Sequence, residues 1–366
     1  MRSEYQIYLS LVRAALWGEP VTWPEEQEEL FLVLNTHQGT GPLVFPYILT
    51  QNTVSPAVRA HMKSVCMATM QNQVPLHLTL AKAWSALQKA GIRAVLMKGA
   101  GLAALYPEPY YRAWGDIDLF VGKEQYHAAC ATMRETFPSA LKFDEELEHY
   151  KHYNLIADGV SIEMHRVSIA LQHPLDERRY ARMESEGMAH TESLVLNELE
   201  VQVPEPTYNA LFVFFHSWEH MISAGANLRQ LCDLALLLHR YAKKINPEVL
   251  KRNLRSLHLL EPWQLYMYIL VHYMGLPEEE AVGYTPRAAA HADRLMEDLL
   301  SGRMRAPKQD EKTPAGRILR KWYTMKGRNA DARRIARYSP AYARHMIVTT
   351  WLHGAARFFA PDRHWE

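Results

Sequence analysis

The stretch that most constrains this chain is residues 96–121, LMKGAGLAALYPEPYYRAWGDIDLFV. It closes on Gly115-Asp116-Ile117-Asp118-Leu119. In a strand, alternate side chains point to the same face. Asp116 and Asp118 then stand on one side roughly 7 Å apart, while Ile117 and Leu119 enter the core. Two carboxylates on one rim raise each other's pKa unless a cation shares them. A hard divalent ion relieves that conflict, and Mg²⁺ is commonly held by one or two carboxylates together with substrate phosphates. A strand showing two aspartates to water has the same pattern, so the neighbouring residues must decide.

Upstream, the apolar run 92–97 ends in Lys98-Gly99 and is followed by a helical pattern over 100–105. A glycine at a strand-to-helix junction lets an anion come close to the backbone, where the first N–H groups of the helix lie open. Downstream, HYKHYNLIA (149–157) and VSIEMHR (160–166) flank Asp158-Gly159, a strong two-residue hairpin signal. In the second run Ile162 and Met164 share one face, and Ser161, Glu163 and His165 share the other. Glu163 is therefore expected beside the aspartates on the adjacent strand. His165 has three possible tasks: orienting a carboxylate, acting as a general base, or filling a polar place on the strand face.

A glycine after the first strand, a D-x-D on the second and a third carboxylate on a later strand form the layout of the polymerase-beta-like nucleotidyltransferase superfamily, which this chain resembles. The segments LMKGAGLAALYP, YRAWGDIDLFV and SIEMHR are more closely similar to a bacterial nucleotidyltransferase group, the NTP_transf_5 type. Its members carry a Lys-Gly, an Arg shortly before Gly-Asp-Ile-Asp, and a Glu-x-His. The resemblance covers roughly residues 30–270. Lys98-Gly99-Ala100 departs from the wider superfamily, where Gly-Ser or Gly-Gly is usual.

The resemblance implies an enzyme that moves a nucleoside monophosphate from an NTP, ATP among the candidates, to an acceptor, releasing pyrophosphate. It implies Asp116, Asp118, Glu163 and His165 as catalytic residues, with Asp116, Asp118 and Glu163 holding Mg²⁺ or Mn²⁺. Lys98, Gly99, Arg112 and Gly115 are the implied nucleotide contacts, Arg112 through bidentate bonds to triphosphate oxygens. For Tyr106, Tyr110 and Tyr111 beside it, packing is the expectation over base stacking. Members also carry a histidine-bearing helix followed by an Arg and an Asp, matched here by His216, Arg229 and Asp233. Arg229 and Asp233 are spaced for an i, i+4 ion pair that either orients the helical domain over the nucleotide or is structural. The acceptor stays open among a small molecule, a protein and RNA. The alternative is a non-catalytic nucleotide-binding or RNA-binding regulatory module on the same fold.

The remaining sequence supplies the frame. The 366 residues, 48% hydrophobic, are ample for a core and for two or three domains. We expect an α+β protein with a small mixed nucleotidyltransferase-like sheet at 91–204. An N-terminal helical region (1–90) precedes it, and a C-terminal helical domain (205–366) carries a basic extension from about residue 303. Residues 25–36 and 55–90 read as helices, with Pro75 a break or kink in the second and Gly91 its cap. Trp84 and Leu87 are expected to pack on the sheet, and 123–137 reads as an amphipathic helix. The run WQLYMYILVHYMG is apolar nearly all round, which marks a buried helix.

A net charge of +1 gives no global electrostatic argument for nucleic acid or membrane. Between Arg303 and Arg344, however, thirteen Lys or Arg face three acids. Those basic helices are the place for nucleic acid if it binds at all; otherwise they are a solvated face balanced by acidic segments at 25–29 and 144–148. Residues 303–316 read as a linker. His216 and His220 share a helix face, but a zinc-protease helix needs a glutamate directly after the first histidine, where Ser217 stands. Three scattered cysteines, no signal-peptide layout and no long apolar run point to a cytoplasmic protein without a membrane partner.

Overall fold

The computed structural model describes residues 1–20, 23–51, 53–143, 150–171, 173–223, 225–304 and 317–359, with the side chains of all of these except 25, 317–324 and 353–359. The acidic segment 144–148 and most of the expected linker, 305–316, lie outside the described residues. The chain divides into two compact units. Of the described residues, one holds those within 10–170 and 181–210; the other holds those within 1–9, 171–180 and 211–359.

Four helices open the chain: α1 (Ser3–Trp17), α2 (Glu28–Gln38), α3 (Gly41–Ile48) and α4 (Pro56–Lys89). The 34-residue α4 runs unbroken through Pro75, so the proline does not end it. It ends as Gly91 predicts. Gly91 takes φ +69°, its N–H donates to the Gln88 carbonyl, and the Ile92 N–H donates to that of Leu87, the paired bonds of a Schellman cap.

The sheet follows. Strand β1 (Val95–Met97) leads into the short helix α5 (Gly99–Ala103); β2 (Asp116–Phe120) then feeds α6 (Gly122–Thr136). After β3 (Leu141–Lys142) come β4 (His152–Ala157) and β5 (Val160–His165). The strand order is β1-β2-β5-β4-β3, with β2 and β5 parallel and the other pairs antiparallel. Asp158 and Gly159 both have positive φ, 53° and 80°, and so close the β4–β5 hairpin in two residues. Helix α7 (Pro174–Ala189) precedes a second hairpin, β6 (Glu192–Leu196) with β7 (Leu199–Val203).

Alternation gives the five-stranded sheet two different faces. Ile117, Leu119, Tyr153, Leu155, Ile162 and Met164 are fully buried against Leu80, Ala83, Trp84 and Leu87 of α4 and Tyr126 and Met133 of α6. The expected packing of Trp84 and Leu87 is what the structure shows. Transferring such side chains out of water supplies about 1.5–3 kcal/mol each. The other face carries Asp116, Asp118, Ser161, Glu163, His165, His152 and Asn154.

The second unit is helical. Helices α8 (Pro206–Ser223) and α9 (Leu228–Tyr241) are followed by α10 (Pro247–Ser256), α11 (Leu260–His272), α12 (Ala289–Leu300), α13 (Arg317–Ile335) and α14 (Pro340–Phe359). Its core is aromatic: Phe214 meets Trp263 and Tyr266 edge-on at 5.0 and 5.1 Å, and Trp218 meets Tyr342 at 5.7 Å. Along α11, Trp263, Tyr266, Met267, Ile269 and Leu270 are fully buried, as its apolar circumference requires. No helix among the described residues is long and apolar enough to cross a membrane.

Candidate active site

Register brings the three acids together. Asp116 pairs with Ser161 and Asp118 with Glu163 across the parallel β2–β5 ladder, so both aspartates and the glutamate project from one face. One ligating oxygen from each lies within 4.8 Å of the other two. Their exposure differs. The Asp116 side chain is 42% exposed and Glu163 21%, whereas Asp118 is sealed.

The cations around them are as specific. Lys98 Nζ stands 3.0 Å from Asp118 Oδ1 and 3.7 Å from Asp116 Oδ2. His165 Nε2 lies 3.0 Å from the same Asp118 oxygen and 3.1 Å from Glu163 Oε2. Burial alone would push the Asp118 carboxyl up, but Lys98 and His165 outweigh it and hold the group well below the usual carboxylate range. Asp116 goes the other way, because burial and the Asp118 charge raise it more than Lys98 lowers it. Lys98 is desolvated, yet Asp118 and Asp116 keep its ammonium above the ordinary value. Burial would likewise lower His165, and its two carboxylate bonds more than reverse that. The second Asp118 oxygen, Oδ2, is buried and has no hydrogen-bond partner among the described residues.

A buried carboxylate oxygen without a donor is costly unless a ligand supplies one. Here it belongs to a group of three hard oxygen donors in reach of one another. That donor set fits a divalent cation of the Mg²⁺ or Mn²⁺ kind.

The expected nucleotide contacts lie around this cluster. Lys98 sits between β1 and α5 with φ +39°, a conformation that costs a non-glycine residue about 1–3 kcal/mol and recurs where surroundings dictate a side chain's aim. Gly99, at φ +45°, comes so near β2 that a Cβ would stand 3.3 Å from the Asp116 carbonyl oxygen. Its glycine thus serves strand packing directly. The Gly101 and Leu102 N–H groups both donate to the Lys98 carbonyl, which leaves those of Gly99 and Ala100 ahead of the first helical bonds. With five residues, α5 offers these amides rather than a long helix dipole.

Arg112 is buried, bonds the Ala113 carbonyl, and lies close enough to Asp116 to lower its pKa. Around Gly115 a Cβ would meet nothing within 4 Å, so the approach to the cluster there is open. Tyr106 is packed away, and Tyr110 lies against His77 at 5.5 Å, in line with the packing expectation.

Three further residues belong to the site. His152 is the register partner of His165, with ring centroids 5.0 Å apart. Lys151, one residue earlier, interacts with all three acids; burial and the Lys98 charge push its ammonium below the ordinary range. Gln73 of α4 donates to the Tyr110 and Arg112 carbonyls and accepts from Trp114 Nε1 at 3.1 Å, so it clamps the loop that enters β2. Counting outward from the Asp158-Gly159 turn locates His152 opposite His165 in the bare sequence. Nothing local in the sequence announces Gln73.

His216, Arg229 and Asp233 lie on α8 and α9 of the helical unit. Asp233 is buried, and the His216 ring meets His220 edge-on at 4.5 Å. Among the described residues no metal-ligating group of three includes these histidines. Part of the basic excess is paired with acids of the same unit. Arg303 and Arg337 pair with Asp298, and Arg334 pairs with Asp331.

A family described as uncharacterised nucleotidyltransferase matches residues 24–275. Comparison with curated proteins and with solved structures returns no match.

Proposed function

The chain belongs to the uncharacterised nucleotidyltransferase family, and on that premise we propose that its sheet site moves a nucleoside monophosphate from an NTP to an acceptor hydroxyl. The observation that carries this reading is the grouping of Asp116, Asp118 and Glu163 on one face, with a buried Asp118 oxygen that has no partner among the described residues. These three residues would hold Mg²⁺ or Mn²⁺. Such an ion, when bound, supplies positive charge at the attacking and leaving oxygens.

The chain's own groups then have distinct tasks. The acceptor oxygen bonds to the α-phosphorus as the bond from that phosphorus to the bridging oxygen breaks, and pyrophosphate leaves. Glu163 takes the acceptor's proton. His165, 1% exposed, reaches no substrate; it acts as a positioning residue through Asp118 and Glu163. Lys98 and Arg112 set their charges against the triphosphate, and the Gly99 amide and the open approach at Gly115 let it lie near the backbone. The three cysteines are buried thiols, which accords with a reducing compartment such as the cytoplasm.

Isothermal titration with each of the four NTPs, with and without Mg²⁺, tests the reading. Binding of at least one NTP should require the metal and should vanish in the Asp116→Asn Asp118→Asn protein. NTP binding that ignores both the metal and the double substitution would return the chain to a non-catalytic binding module.

A further inference from the structure

The same sheet face holds a second set of ligands whose chemistry differs from that of the carboxylate cluster. His152 on β4 and His165 on β5 are direct partners in the antiparallel ladder, and Glu163 precedes His165 by two residues on the same face. A ring nitrogen of each histidine and a carboxylate oxygen of Glu163 all lie within 4.8 Å of one another. The hairpin that carries them is closed by a two-residue turn, so a register slip would turn His152 away from His165 and Glu163. The three side chains are thus preset by local structure.

His165 Nε2 lies 3.1 Å from Glu163 Oε2 and 3.0 Å from Asp118 Oδ1, while Nδ1 lies 3.4 Å from the Val167 carbonyl oxygen, so Nε2 is the ring nitrogen turned toward the cluster. A cation taken up here replaces the proton that Nε2 shares with those carboxylates. Both His152 and Glu163 are half-buried, so the group opens on their side. Two imidazoles and one carboxylate suit Zn²⁺, Co²⁺ or Mn²⁺ and suit Mg²⁺ poorly.

We infer that His152, Glu163 and His165 form a second cation site, selective for a borderline transition-metal dication of the Zn²⁺ type, next to the carboxylate cluster and sharing Glu163 with it. The inference stands on the hairpin geometry and does not depend on nucleotidyl transfer.

The test uses the full chain, stripped with a chelator and titrated with Co²⁺, whose visible d–d absorption reports its ligands, followed by displacement with Zn²⁺. Cu²⁺ electron paramagnetic resonance supplies nitrogen hyperfine structure as an independent readout. His152→Gln, at a half-buried position, should keep the circular dichroism of the parent while Co²⁺ affinity falls by about a hundredfold or more and the nitrogen couplings diminish. Asp116→Asn should retain both signals. Three results would overturn the assignment: Co²⁺ binding unchanged in folded His152→Gln, Co²⁺ binding lost in Asp116→Asn but not in His152→Gln, or no Zn²⁺-displaceable Co²⁺ bound by the parent. None of these bears on whether an NTP binds with Mg²⁺ at the carboxylates.

Discussion

Replacing Lys98 with methionine keeps an unbranched side chain one atom shorter and removes its charge from the centre of the site. Lys98 is 17% exposed and faces Asp118, which is sealed from water. Breaking a buried pair by removing one partner costs about 3–5 kcal/mol, because the remaining charge has lost its compensation. His165 and Lys151 stay beside the acids and offset part of that loss, which puts the expected destabilisation near the lower end, about 3 kcal/mol. At about 2–4 °C per kcal/mol for a unit of this size, the melting temperature in chelator should fall by roughly 6–12 °C. A divalent cation restores the balance. Bound at a hundred times its dissociation constant it returns about 2.7 kcal/mol, and the variant should gain more than the parent because Lys98 no longer competes for Asp118 and Asp116. Scanning calorimetry of both proteins in chelator and in millimolar Mn²⁺ measures the gap. A gap that stays the same width in Mn²⁺, or no gap in chelator, would refute the view that lysine and metal share these oxygens.

The other expectations concern the frame around the site. Gly187→Ala should cost about 3 kcal/mol or more in denaturant unfolding, since the added Cβ would stand 2.2 Å from the Tyr208 side chain. Trp84→Ala should cost about 3–5 kcal/mol by the same measurement, because a nearly sealed indole leaves a cavity between α4 and the sheet. Asp298 is held below its ordinary pKa, burial being outweighed by bonds from Tyr338 and Arg303. Its contribution is therefore present above the unfolded value near 3.9 and is lost as pH falls through the lower folded value. Asp298→Asn should be less stable than the parent at neutral pH, and acid titration followed by circular dichroism should show the difference shrinking below about pH 4.

The elements whose signals are local are those that can be read directly from the sequence. Asp158-Gly159 between alternating runs, Gly91 after a periodic helix, and Ile117 and Leu119 between two aspartates each encode their geometry within a few residues, and each is found in the structure. Where the structure departs from the sequence reading or adds to it, the causes are physical. Of the break or kink expected at Pro75, the break does not occur: the proline forfeits one hydrogen bond, but α4 is buried on the sheet through Leu76, Leu80, Ala83, Trp84 and Leu87, and that burial carries the helix past it. The β6–β7 hairpin turns on Asn197-Glu198, with φ 46° and 72°. Glutamate is an unusual occupant of a left-handed position, so no turn signal marks it. Strand β3 has only two residues, too few for any periodicity.

Within the site, the acids are legible because strand alternation and register place them; the cations are not, because their aim depends on contacts far apart in sequence. Lys98 reads as a triphosphate ligand, but here its ammonium lies on Asp118 and Asp116. The two descriptions are compatible once charge is followed through binding. Three carboxylates are balanced at rest by Lys98, Lys151 and His165, with Arg112 near Asp116. A dication taking the carboxylates frees those cations, and a triphosphate brings more negative charge than one dication cancels. The freed lysine and arginine then have a counter-charge to meet. On this argument metal and nucleotide should bind with positive coupling in the parent protein, and Lys98→Met should bind the metal more tightly alone and the nucleotide less tightly with it.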